Sequence, residues 1–182
     1  MSRNKRGMNG RTEKDFEVLA LPHLDAVYDV ALRLTGSSSD AMDLAQETYL
    51  RAFASFGRFE VGSSIRAWLF TILRNAARNL RRDGARHVTE PLDEESPAAA
   101  GWPEDVPEWS RLTPGMLDAL IALLPIHLRE VVVLRELQGL SYREIASVLS
   151  CPVGTVMSRL HRGRAALRKL VLARLEETRS ML

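Results

Sequence analysis

A proline-rich acidic segment between residues 84 and 113 constrains the fold of this 182-residue chain more than any other feature. It holds four prolines, with Pro114 directly after it, and seven acidic side chains against two basic ones. Closely spaced prolines and acids cannot sustain a helix or a buried strand. We therefore predict a flexible linker, which would span roughly 30 Å as a coil of this length.

Helical periodicity on both sides of the linker predicts an all-α protein with two small helical domains. Two tryptophans inside the linker, Trp102 and Trp109, are open to two interpretations: loose docking on a domain, or anchoring on a partner. The predicted boundaries are 1–12 for a disordered basic N-terminus, 13–83 for the first domain, 84–113 for the flexible acidic Pro-rich linker, 114–175 for the second domain and 176–182 for a C-terminal tail.

Composition and motifs exclude several classes of protein. Hydrophobic residues make up 46% of the chain and charged residues 26%, which is typical neither of a disordered tail nor of a membrane protein. No apolar run approaches the roughly 18 residues of a membrane span, and the basic start lacks the apolar stretch of a secretory signal. One cysteine and four scattered histidines exclude an internal disulfide and offer no metal-ligand spacing. Without a membrane span or a secretory signal, the chain is expected to be cytoplasmic and not inserted in a membrane. Because it has no catalytic motif, we expect no enzymatic activity, metal or cofactor.

A polar stripe lies on one helix of the first domain, for which Asp40 is the predicted N-cap. Asp43, Gln46 and Glu47 stand at i, i+3 and i+4 and therefore share one face. One interpretation is an ordinary solvated face, with Glu47 and Arg51 as an ion pair worth a few tenths of a kcal/mol. The other interpretation is a surface that binds another protein.

The loop from Gly57 to Ser64 precedes a helix with one apolar and one basic face. The basic face carries Arg74, Asn75, Arg78 and Asn79. Arginines stacked without acidic partners repel each other, and a polyanion would relieve that repulsion. Asparagine can hydrogen-bond a base edge, and aromatic side chains beside arginines suit single-stranded nucleic acid. Most of the neighbouring aromatics, Trp68 in particular, are nevertheless expected in the apolar core.

A helix-turn-helix pattern marks the second domain. Two apolar helices are predicted over 116–124 and 128–137. Ser141 and Glu144 form a capping-box pattern ahead of a third helix, and Pro152 begins a longer fourth one.

The outer face of the fourth helix is polar and basic. Between residues 153 and 174 the chain has six basic and no acidic residues, so we take its arginines to be unopposed. Such a helix can present its first residues to base edges in a DNA major groove and its later ones to phosphates. The alternative is a basic solvated helix. The predicted DNA-binding residues are Thr155, Ser158, Arg159, Arg162, Arg164 and Arg168.

Two long segments together resemble a known family. DAMDLAQETYLRAFASFGRF, followed by SSIRAWLFTILRNAARNLRR, is similar to the second conserved region of bacterial extracytoplasmic-function (ECF, group 4) sigma factors of the sigma-70 superfamily. LRELQGLSYREIASVLSCPVGTVMSRLHRGRAALRK is similar to their fourth region. The resemblance implies a stress-responsive promoter-specificity subunit that binds core RNA polymerase, reads promoter DNA and is held inactive by an anti-sigma factor. The segments ALRLTGSSSDAMDLAQETYLRAF and GTVMSRLHRGR resemble those of ECF members that pair with zinc-binding, redox-responsive anti-sigma factors.

The resemblance also implies roles for individual residues. The polar stripe would dock on the clamp helices of the largest polymerase subunit, although Met42 stands where relatives more often carry an acid. The loop at Gly62–Ile65 would capture a flipped base of the −10 element, and the following helix would contact the melting strand. The helix from Pro152 would read the −35 element as duplex. The implied sets are Asp43, Gln46, Glu47 and Arg51 for core polymerase; Gly62, Ser63, Ser64, Ile65, Arg74, Asn75, Arg78 and Asn79 for the −10 element; and the six residues of the fourth helix for the −35 element.

Two other functions are consistent with a helix-turn-helix. The first is a self-sufficient transcriptional regulator whose N-terminal domain senses a ligand or dimerises; it would bind an operator tightly without polymerase. The polar arginine–asparagine face of the first domain disfavours it, because a dimer seam would be apolar. The second is an enzyme acting on nucleic acid. The sequence disfavours it, because it offers no cluster of carboxylates that could bind the catalytic metal ions.

Overall fold

The computed structural model describes residues 13–60, 62–84 and 113–180, and every regular element in those residues is helical. The chain divides into two compact units, which are described separately. The N-terminal segment and residues 85–112 of the predicted linker, with Trp102 and Trp109, lie outside the described residues. The helices are α1 (Glu13–Ala20), α2 (Leu24–Thr35), α3 (Ser38–Ser55) and α4 (Ile65–Gly84) in the first unit, and α5 (Pro114–Ala122), α6 (Ile126–Val132), α7 (Tyr142–Leu149) and α8 (Val153–Ser180) in the second.

Local sequence signals set the helix boundaries of the first unit. A 3₁₀ turn at Leu21–His23, which contains Pro22, separates α1 from α2, as the position of the proline predicts. Gly36 ends α2 with a φ of +74°, a conformation that glycine adopts without steric cost. The predicted cap of α3 is wrong by one turn: Ser37 is the N-cap, and its hydroxyl accepts from the backbone N of Asp40 at 3.3 Å.

The core of the first unit lies between α2, α3 and α4. Most of each apolar stripe is buried there, but two residues that the spacing predicts to be apolar core, Leu24 of α2 and Leu80 of α4, are 48% and 52% exposed. Thr48 is buried in the core, where its hydroxyl donates to the Leu44 carbonyl at 2.7 Å. The aromatic residues are mostly core, but Trp68 is only half-buried and Phe53 is 38% exposed. The buried members include Leu44, Phe56, Leu69, Phe70 and Leu73.

The second unit begins with α5, whose N-terminus is capped by the Thr113 hydroxyl. The helix predicted over 128–137 is divided: α6 ends at Val132, and a π-helical turn follows at Val133–Leu137. Gly139, with a φ of +65°, ends that turn. We refer to Val133–Leu137 below as the π turn.

Helices α7 and α8 form the predicted helix-turn-helix. The capping box is confirmed: the Ser141 backbone N donates to Glu144 Oε2 at 2.8 Å, and the Glu144 backbone N donates to Ser141 Oγ at 3.3 Å. Helix α8 then runs 28 residues to Ser180, beyond the predicted domain end at 175. At the buried Gly163, α8 packs closely on α6.

Candidate functional site

The polar stripe lies on the solvent side of α3. Asp43 and Gln46 are exposed and Glu47 is half-exposed, so all three are accessible to a partner. Glu47 Oε1 accepts from Arg51 Nε at 2.6 Å, as the i,i+4 spacing predicts. Both side chains of this pair remain 45% exposed, so it contributes about 0–1 kcal/mol to stability and leaves room for a competing partner.

A cleft of about 440 Å³ lies beside the stripe, between the end of α2, the start of α3 and the second half of α4. Its floor is apolar, and two carboxylates stand at its edge on the α3 side. The polar stripe therefore borders a concave surface that carries acidic side chains. Its lining residues are Leu34, Thr35, Asp40, Asp43, Ala77 and Leu80.

The loop before α4 is built by its own small residues. Gly62 has a φ of +89°, a conformation that favours glycine. Ser63 Oγ donates to the Glu60 carbonyl at 2.7 Å, and Ser64 Oγ accepts from the Ala67 backbone N at 3.2 Å, which caps α4. Both serines are exposed, and Ile65 is the first residue of α4.

Aromatic side chains hold both ends of that loop. Phe59 precedes it and Trp68 follows it, and their ring centroids lie 5.2 Å apart. Phe59 also stacks on the buried Phe56 at 6.1 Å. The loop is therefore held by an aromatic contact between the residues on either side of it, and Glu60, Gly62, Ser63 and Ser64 are exposed.

The predicted basic face lies on the second half of α4, beginning about 15 Å along the helix from the loop. Asn75, Arg78 and Asn79 are exposed, whereas Arg74 is half-buried. Arg66, in the first turn of α4, lies near the turn between α1 and α2: burial, and then the charge of Arg66, lower the pKa of His23. The exposed serines of the loop, and the exposed Asn75, Arg78 and Asn79 of α4, offer hydrogen bonds and positive charge to a nucleic-acid strand.

The outer face of α8 differs from the predicted one in one important respect. Arg168 is exposed, and Thr155, Ser158, Arg159 and Arg162 are half-exposed at the helix N-terminal half. Arg164, however, is not unopposed. Its Nε and Nη2 donate to Oε1 of Glu136, in the π turn, at 2.8 and 2.5 Å.

Met157 and His161 are among the exposed positions of α8 that the predicted DNA-binding set omits. Met157 is 48% exposed and His161 is exposed, and the two stand one helical turn apart. Both could have been predicted by choosing the residues of α8 that do not lie on the face of Val156 and Leu160, which are buried. A search limited to basic and small residues could not select a methionine.

Two absences apply to the part of the chain that the structure describes. Within 13–60, 62–84 and 113–180 there is no group of three or more histidine, cysteine or acidic side chains that could hold a metal ion. In the same residues no helix combines enough length and apolar character to cross a bilayer.

Comparison with protein families matches both units. The family model for sigma-70 region 2 matches residues 19–87, and the model for sigma-70 region 4 matches residues 115–167. The two regions occur in the order expected of a sigma-70 factor.

The sequences of curated relatives are similar to this one along most of its length. The ECF RNA polymerase sigma factor SigE of Mycolicibacterium smegmatis is 39% identical over 166 residues, which are 90% of this chain and 64% of SigE. The RNA polymerase sigma-H factor of Pseudomonas aeruginosa is 32% identical, with 91% of this chain and 90% of that protein covered. SigW of Bacillus subtilis, also an ECF sigma factor, is 34% identical over 80% of this chain and 82% of its own length.

Solved structures show the same fold. The sigma factor RpoE of Bartonella quintana, in complex with the anti-sigma factor NepR, is similar with a TM-score of 0.64 and 30% identity over 87% of this chain and 97% of that one. CnrH, in complex with the cytosolic domain of CnrY, is similar with a TM-score of 0.67 and 26% identity, and the match covers 91% of this chain and 93% of CnrH. The chain belongs to the ECF sigma factors, the sigma-70-type subunits of bacterial RNA polymerase.

Proposed function

We propose that this chain binds core RNA polymerase and directs promoter-specific initiation, with residues 13–83 as region 2 and residues 114–175 as region 4. Region 4 would hold the −35 element as duplex, and region 2 would hold the −10 element as a single strand. Like its family, the chain would be an initiation factor rather than an enzyme. It would act in the cytoplasm, where its polymerase and promoter are.

The observation that supports the proposal is the presence in one chain of two different polar and basic surfaces, each suited to a different form of DNA. Helix α8 offers a polar and basic outer face of the shape that a major groove accepts. The loop at Gly62–Ile65 offers exposed serines beside an aromatic anchor, and α4 offers the exposed Asn75, Arg78 and Asn79. A duplex reader and a strand binder together fit opening of a promoter better than binding to an operator.

The loop is suited to an extruded base. Extruding a base costs a few kcal/mol, which contacts in the capturing site must offset. Ser63 and Ser64 are exposed, and the positive φ of Gly62 turns the chain without a side chain in the way. The anchors Phe59 and Trp68 limit how far the loop can move on binding.

Core polymerase would supply what the chain lacks. The net charge of the whole chain is only +2, so its affinity for DNA alone should be weak. Binding both units to one enzyme raises the effective concentration of each for its promoter element. The polar stripe Asp43, Gln46 and Glu47, with Arg51, is the proposed contact to polymerase.

The decisive test is run-off transcription with purified core polymerase on a library of promoter sequences. We expect transcripts from templates that share two elements at fixed spacing, and none with core enzyme alone. Tight binding of the chain to a palindromic operator without polymerase, and no transcripts in its presence, would refute the proposal in favour of a self-sufficient regulator.

A double variant tests the polymerase contact. Asp43→Ala/Glu47→Ala should lose affinity for core enzyme and lose transcription in parallel. The matched control is Glu13→Ala/Glu17→Ala, which removes two exposed carboxylates from α1 and should bind core normally. If the stripe variant binds core and transcribes like the wild type, the stripe is an ordinary solvated face.

An anti-sigma factor is the second proposed partner. RpoE of Bartonella quintana was solved with the anti-sigma factor NepR, and CnrH with the cytosolic domain of CnrY. A protein of this kind that covers the DNA-binding surfaces of both units would keep the chain inactive, as the resemblance implies. Adding the candidate to the run-off assay should abolish transcription, and excess core polymerase should not restore it if the inhibitor binds first.

A further inference from the structure

Arg164 is held by an acid from another segment of its unit. Besides the two hydrogen bonds to Glu136, the pair is partly shielded from water: the side chains are 19% exposed for Arg164 and 38% for Glu136. A second pair on the same helix, Arg174 with Glu177 at 3.1 Å, is far more open, with 50% and 59% exposed. Screening by water and salt is weaker for the shielded pair.

The position of Arg164 on α8 explains why it can reach an acid. Residues three or four apart on a helix share a face. Arg164 lies four residues after Leu160 and three before Leu167, and both leucines are buried. It therefore stands at the border of the buried face, whereas His161 and Arg168 are exposed.

The π turn places the acid. Here the backbone N of Gln138 donates to the Val133 carbonyl at 3.1 Å, the i→i+5 pattern that widens a helix and is frequent at functional sites. Arg135, the residue before Glu136, donates to the Leu140 carbonyl at 2.8 Å and lies over the Tyr142 ring at 4.9 Å. Two consecutive side chains of the π turn thus reach the start of α7 and the middle of α8.

We propose that Glu136 is a positioning residue that withholds Arg164 from DNA phosphates and so limits sequence-independent binding. The inference rests on the proposed function of α8 as the duplex reader. Phosphate contacts supply affinity that carries no sequence information, whereas base contacts discriminate. If Arg164 does not contact the DNA phosphates, base contacts contribute a larger share of the binding free energy.

The test measures the salt dependence of non-specific binding by the full chain. The probe is a fluorescein-labelled 30-base-pair duplex of random sequence, followed by anisotropy at several KCl concentrations. Glu136→Ala should release Arg164 to a phosphate and steepen the slope of log K against log[KCl] by about 0.9. The same added contact should raise the affinity at 0.1 M salt by roughly eightfold.

Three further variants separate this role from a merely structural one. Glu177→Ala removes an acid from the open pair of the same helix and should leave the slope unchanged. Glu136→Ala/Arg164→Ala should return the slope to the wild-type value, because Arg164 is not on the DNA in the wild type. Glu136→Gln, which keeps the size of the side chain, should steepen the slope in the same direction as Glu136→Ala.

Two results would overturn the inference. One is an unchanged slope for both Glu136 variants at wild-type helix content, which would make the pair structural only. The other is a double variant whose slope is shallower than wild type by about 0.9, which would place Arg164 on a phosphate already. Failure of the proposed function is a separate result, because it would appear as absent transcription with core polymerase whatever the slopes.

Discussion

The close packing of α6 on α8 at Gly163 can be tested with a single methyl group. A Cβ at this position would lie 2.7 Å from Cγ2 of Val132 and 3.3 Å from the carbonyl oxygen of Leu128. Valine in a helix has one strongly preferred rotamer, and the carbonyl belongs to the backbone, so neither can move aside easily. Gly163→Ala therefore requires the two helices to separate.

The expected magnitude follows from two opposing terms. Overpacking of a core contact costs about 1–3 kcal/mol. Replacing a mid-helix glycine by alanine recovers about 0.5–1 kcal/mol of backbone entropy. We expect the steric term to be larger because the 2.7 Å approach is to a stiff side chain, with a net loss of about 1–2 kcal/mol.

Native-state hydrogen exchange of the full chain measures this loss within the second unit. Amides of α6 and α8 should exchange roughly 5- to 30-fold faster in Gly163→Ala than in the wild type. The matched control is Gly154→Ala on the same helix, where a Cβ would meet nothing within 4 Å. Gly154→Ala should exchange no faster than the wild type. If the two variants behave alike, the packing argument is wrong.

Two further predictions concern single hydrogen bonds. The Tyr49 hydroxyl donates to the Ala20 carbonyl at 2.9 Å, and burial, followed by the charge of Asp25, raises the pKa of Tyr49 from 10.0 to about 12. The stabilisation of the first unit by Tyr49 should therefore be complete below about pH 10 and decline toward pH 12. Urea unfolding followed by Trp68 fluorescence, in a Trp102→Phe/Trp109→Phe background, should show a larger decline with Tyr49 present than in Tyr49→Phe. Ser141→Ala removes half of the capping box and should cost about 1 kcal/mol, seen as faster exchange of α7 amides; wild-type protection in that variant would contradict the role of the cap.

The helices could be predicted because their boundaries depend on local chemistry. Pro22, Gly36 and Gly139 end or interrupt helices whatever lies around them, and the capping box at Ser141 is complete within four residues. The cap of α3 could not be assigned by pattern alone, because Ser37 and Asp40 are both good capping residues and only the backbone path chooses between them.

The features that the sequence did not predict depend on contacts between distant residues. The π turn at Val133–Leu137 continues an apolar pattern that reads as α-helix, so its widening is visible only in the hydrogen bonds. Glu136 and Arg164 are 28 positions apart, and counting acids along α8 itself could not reveal their pairing. The assignments of individual residues to polymerase, strand or duplex remain predictions.

The aromatic anchors of the loop before α4 have a consequence for how such chains diversify. Because Phe59 and Trp68 meet at 5.2 Å beneath the loop, the bundle is closed independently of the residues between them. Glu60, Ser63 and Ser64 are exposed and contribute little to the interior. A substitution at Glu60 should therefore change the surface of the loop without changing the interior of the first unit, whereas a substitution at Ser64 would also remove the cap of α4.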